Sequence, residues 1–65
     1  MNYSIIIPVY NGEFTVEPLF KRLYTFFLTM NTSFEVVFIY DCGKDNSWNV
    51  LEKLKYEYPN LIKLI

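Results

Sequence analysis

The stretch Ile5-Ile6-Ile7-Pro8-Val9 is apolar at successive positions rather than alternate ones, and Tyr10-Asn11-Gly12-Glu13 ends it abruptly. A continuous β-branched run is the pattern of a strand covered on both faces of a parallel sheet, so an α/β fold is expected. Pro8 has no N–H to give to a ladder, which places it near the strand's end or on an edge. From Thr15 the apolar residues Val16, Leu19, Phe20, Leu23, Phe27 and Met30 recur at helical spacing, with Glu17, Lys21 and Arg22 on the other side. A helix over residues 15–30 follows, with Thr15 as N-cap and Pro18 in the first turn, where a missing N–H does no harm. Phe34 to Tyr40 forms a second apolar run and a second strand. Polarity then changes at Asp41-Cys42-Gly43-Lys44-Asp45-Asn46-Ser47, where Asp45, Asn46 or Ser47 can cap a helix starting near Trp48. Trp48, Leu51, Leu54 and Tyr58 form its core stripe, while Glu52, Lys53, Lys55 and Glu57 are solvated. Pro59-Asn60 stops it, and Leu61 to Ile65 begin a third strand. The order is β-α-β-α-β, one Rossmann-like unit over residues 1–65.

Right-handed crossovers make the first two strands parallel neighbours, about 4.8 Å apart, and bring the loops after Val9 and Ile39 to one edge. Ligands of open α/β sheets collect at that edge. With 65 residues the chain buries only about 60% of the surface its unfolded form exposes, so one domain at most is present. A formal net charge of −1 with no basic patch disfavours nucleic acid. The single cysteine, Cys42, forms no intrachain disulfide, and without histidine it seeds no zinc site, which fits a reducing compartment. Cys42 itself reads as a small loop residue. No basic region precedes an apolar stretch at the amino terminus, which argues against a signal peptide. The apolar cluster from Leu23 to Met30 is far short of the roughly 20 residues of a membrane span.

Gly12 and Gly43 are the only glycines, so neither a dinucleotide fingerprint nor a phosphate-cradling P-loop exists, and without histidine there is no Ser-His-Asp triad. A phospho-acceptor receiver domain shares the topology but wants acids after the first strand, where Tyr10-Asn11 supplies none. Tyr10, Asn11, Glu13 and the segment Asp41 to Asp45 remain at the edge. An aromatic face beside a carboxylate suits a flat heterocycle: the ring stacks for about 1–3 kcal/mol, and the carboxylate accepts an N–H from the base edge. On position alone Tyr10 either stacks or finishes the core, and Asp41 either binds or turns the chain. Asp45 reads as a helix cap before it reads as a ligand.

The segment SIIIPVYNGE resembles the opening of family 2 glycosyltransferases of the GT-A fold, whose pattern runs S-I-V-I-P-V-Y-N-E-E. The segment EVVFIYDCGKDNSWNVLEKL, residues 35–54, resembles that family's E-I-I-F-V-D-D-G-S-x-D-x-S-W-E-V-L. Ser47-Trp48 and Leu19-Phe20-x-Arg22-Leu23 are similar to the bacterial branch related to dolichyl-phosphate mannose synthase, which moves a sugar onto a polyprenyl phosphate. The resemblance covers all 65 residues, which correspond to the first part of a much longer enzyme. It implies a nucleotide-sugar donor of the UDP type and a lipid-phosphate acceptor. Pro8, Val9 and Tyr10 would wall the base, with Tyr10 against its face; Glu13 matches an acid near the nucleoside. Asp41 matches the acid that reads the base, and uracil offers an imide N–H that other bases lack at that place. Tyr40 stands where the family has an Asp, Gly12 where it has an acid, and Cys42-Gly43 where it has Gly-Ser; the bulk of Tyr40 can narrow the pocket. The family's divalent metal (Mg or Mn), its D-x-D motif and its catalytic base match nothing in this chain, so no turnover by this segment is expected. A cytoplasmic protein, associated with a membrane through segments outside the chain, is implied. The rival reading is a non-catalytic binding module, a homo-oligomer pairing through the exposed edge of the incomplete third strand.

Overall fold

A computed structural model describes residues 2–41 and 43–65, and the reading of Cys42 lies outside them. Strand β1 (Tyr3–Val9), helix α1 (Val16–Met30), β2 (Phe34–Tyr40), α2 (Ser47–Glu57) and β3 (Ile62–Leu64) follow one another as expected. The sheet is parallel throughout, in the order β1-β2-β3, with Val9 opposite Tyr40 and Phe38 opposite both Ile7 and Leu64.

Two right-handed crossovers stepping in one direction put both helices on the same face. Glu17 of α1 and Lys53 of α2 are accordingly within ion-pair reach at 3.8 Å. Expected cover on both faces of β1 is therefore corrected: Val9, Val36 and Phe38 are buried under the helices, whereas Ile6 is 63% and Ile39 39% exposed on the other face. Val37 is buried on that open face because the central strand has neighbours on both sides, Ile6 and Lys63.

Under the helices the core gathers Val16, Phe20 and Phe27 of α1, Phe34, Val36 and Phe38 of β2, Leu51 and Leu54 of α2, and Ile62 of β3. Aromatic rings knit the end of the sheet away from the strands' carboxyl edge. Phe27 stacks on Phe34 at 4.6 Å, and Tyr58 lies 4.9 Å from Phe20 and 5.2 Å from Tyr24. Helix α1 closes on Asn31, whose left-handed φ of 54° Asn tolerates better than most residues.

Pro8 sits inside β1 without breaking a ladder bond. Asp41 N–H donates to Val9 O at 2.9 Å, so the Val9 backbone faces β2; by alternation the Pro8 backbone faces the unpaired edge, where its missing N–H removes no bond.

Five side chains depart from expectation. Leu19 and Met30 are exposed, because the buried stripe of α1 runs through Val16, Phe20 and Phe27 instead. Trp48 is 37% exposed at the rim, and Ser47 takes the buried place. Lys55 is not free in solvent: its ammonium donates to Pro59 O at 2.9 Å and Ile62 O at 2.7 Å, tying the end of α2 to β3. Thr15 precedes α1 as expected, but its hydroxyl donates to Gly12 O at 3.4 Å and caps no helical N–H. The expected membrane association is also corrected. Helix α1, the most apolar, has 15 residues, and no helix among the described residues is long and apolar enough to cross a membrane.

Candidate functional site

Parallel pairing decides where the two loops leave the sheet. Val9 and Tyr40 are the last partners, so Tyr10 and Asp41 follow them side by side at the carboxyl edge, joined through the bond from Asp41 N–H to Val9 O. Tyr10 is 62% exposed, so its ring does not finish the core. Asp41 is exposed, and it caps no helix: the first turn of α2 is served by Glu13 and Asp45. The structure therefore brings Pro8, Val9 and Tyr10 together with the backbone of Asp41. A small cleft of about 110 Å³ opens beside them, walled by Pro8, Val9, Tyr10, Gly12, Thr15 and Val16 among others, and Asp41 is not part of its wall. A larger depression of about 470 Å³ lies over Lys21, Arg22, Thr25 and Phe26 on the outer side of α1, away from the strand ends, and is too open to enclose a ligand.

The Glu13 and Asp45 side chains each reach across to the other's loop. Glu13 N–H donates to Asp45 Oδ2 at 2.9 Å, Ser47 N–H donates to Asp45 Oδ1 at 3.0 Å, and Asn46 N–H donates to Glu13 Oε1 at 3.3 Å. Asp45 thus serves the start of α2, as its position implied, and also holds the first loop. Partial burial pushes its carboxyl upward, but the Glu13 N–H together with the Ser47 hydroxyl and N–H outweighs this and holds it below the ordinary 3.8. The Ser47 hydroxyl acts there by proximity, since it is buried and closes no hydrogen bond of good geometry. A carboxylate whose acidity is raised by folding stabilises the fold above its unfolded value and loses that contribution as pH falls through the folded one. Acid titration followed at the Glu13 amide is therefore expected to leave the contact intact at neutral pH and to release it only below 3.8. Release at higher pH would contradict the geometry.

Tyr40, whose bulk could narrow the pocket, packs against the core. Its ring packs 5.1 Å from Trp48 and its hydroxyl donates to Gly43 O at 3.3 Å. A divalent metal would need several of the site's acids around one point. No three carboxylates, thiols or imidazoles gather among the described residues, and Glu13 Oε1 and both Asp45 carboxylate oxygens are committed to backbone N–H groups. These residues do not fit a metal centre.

Residues 4–65 match the family model described as glycosyl transferase family 2. The chain belongs to that family. Among curated relatives, the family 2 chain is 34% identical to a dolichol-phosphate mannosyltransferase of Pyrococcus furiosus over 91% of its own length and 16% of the relative's. It is 32% identical to the Bacillus subtilis glycosyltransferase YkcC, over 82% of the chain and 16% of the relative. It is 41% identical to an undecaprenyl-phosphate 4-deoxy-4-formamido-L-arabinose transferase of Shewanella sediminis, over 75% of the chain and 15% of the relative. The family 2 chain thus spans about one-sixth of the length of these relatives.

Proposed function

We propose that this chain is the nucleotide-binding opening of a family 2 glycosyltransferase domain that takes a uridine-type sugar donor. The observation that carries the reading is an exposed Tyr10 ring at the end of β1, level with Asp41 at the end of β2. In this reading Pro8 and Val9 wall the base, Tyr10 stacks on its face, and the Asp41 carboxylate accepts the imide N–H of uracil. The chain has no D-x-D stretch, and developing charge on a departing nucleoside diphosphate needs a cationic partner. Sugar transfer in this reading falls to residues beyond those described, and the chain by itself binds without turnover. A polyprenyl-phosphate acceptor is supported by two of the relatives, whose names specify dolichol phosphate and undecaprenyl phosphate.

Calorimetric titration of the intact protein with UDP tests the reading. Tyr10→Ala removes a stacking surface worth about 1–3 kcal/mol, so affinity is expected to fall roughly 5- to 150-fold. Unchanged affinity in that variant would remove the ring from the site.

A further inference from the structure

Contacts between the two loops form a symmetric pattern. Glu13 and Asp45, 32 positions apart, each accept an N–H from the other's loop. Just before them, two residues ahead of Glu13 and one ahead of Asp45, Lys44 N–H donates to Asn11 Oδ1 at 2.9 Å, with Asn11 held at a left-handed φ of 53°. Gly43 lies so close that a Cβ there would stand 2.6 Å from Asn11 Oδ1 and 2.8 Å from the Asn11 backbone nitrogen. Three hydrogen bonds and one close approach therefore fasten the segment after Tyr10 to the segment after Asp41.

We propose that Asn11, Glu13, Gly43 and Asp45 are positioning residues: a two-way clasp that fixes the spacing of the Tyr10 and Asp41 loops before ligand arrives. This rests on the nucleoside reading above. A loop ordered in advance spares the ligand the entropic cost of ordering it, so the clasp acts on affinity without touching the base. It also assigns Glu13 a role by hydrogen-bond acceptance rather than by charge. Only Oε1 of Glu13 is used, and a glutamine amide oxygen accepts equally well. Both oxygens of Asp45 are used on different loops, and an asparagine offers one acceptor while aiming its NH₂ at the other N–H.

The experiment measures UDP affinity and amide hydrogen exchange in the intact protein for Glu13→Ala, Glu13→Gln, Asp45→Asn and Gly43→Ala. Loss of one or two such bonds corresponds to about 5- to 30-fold, expected for Glu13→Ala and Asp45→Asn, with Glu13→Gln restoring what alanine loses. Exchange at the Glu13, Lys44 and Asn46 amides is expected to quicken in the weakened variants and in Gly43→Ala, while the Phe38 ladder amide keeps its protection. That split separates local opening from general destabilisation, and exchange reads the clasp without ligand. Equal losses for Glu13→Gln and Glu13→Ala would mean that charge at Glu13 matters and would overturn the assignment. So would Asp45→Asn with unchanged affinity and protection. Failure of the unaltered protein to bind UDP would remove the nucleoside reading and the positioning role together, whereas UDP binding indifferent to every clasp variant would remove the positioning role alone.

Discussion

Phe38→Ala is expected to remove about 3–5 kcal/mol of folding stability, enough to leave much of the chain unfolded at room temperature. Phe38 is fully buried on the central strand, between Ile7 and Leu64 and beneath both helices, so truncation leaves a cavity that no single neighbour can fill. A domain of 65 residues holds only about 3–10 kcal/mol in total. Ile6→Ala, one strand away on the open face and 63% exposed, is the matched comparison and is expected to cost under about 1 kcal/mol. Urea unfolding followed by far-ultraviolet circular dichroism reads both. Comparable losses at the two positions would mean that the face carrying Ile6 is covered in solution.

Asp41→Ala is expected to weaken uridine-nucleotide binding by about 1.5–3 kcal/mol, roughly 10- to 150-fold in Kd, with little change in stability. The asymmetry follows from position. The Asp41 backbone N–H remains to bond Val9 O after the substitution, so the joint between the strands survives and only the exposed carboxylate is lost. A stability loss as large as that of Phe38→Ala would instead make Asp41 a structural residue.

Much of this was legible before any coordinates. The bounds of β2, Phe34–Tyr40, coincide with the apolar run because a central strand is apolar nearly throughout. The adjacency of Tyr10 and Asp41 followed from handedness, since two parallel neighbours deliver their loops to one edge. Local pattern misled where a neighbour decides. The start of α2 lies beneath the loops, where a small serine is buried and the large Trp48 is turned to the rim against Tyr40. Lys55 reads as a solvated charge until the carbonyls of Pro59 and Ile62 are brought to it. The bare face of β1 could not be read either, because a continuous apolar run carries no record of how many layers this length of chain supplies. The clasp was the least legible part: its partners lie 32 or 33 positions apart, and only the strand register sets Asn11 against Lys44 and Glu13 against Asp45.

The most direct measurement compares calorimetric affinities of UDP and its N3-methylated analogue for the unaltered protein and for Asp41→Ala. If the carboxylate reads the imide N–H, the unaltered protein binds UDP at least about tenfold tighter than the analogue, and Asp41→Ala binds the two alike. Equal affinities of the unaltered protein for both nucleotides would contradict base reading by Asp41.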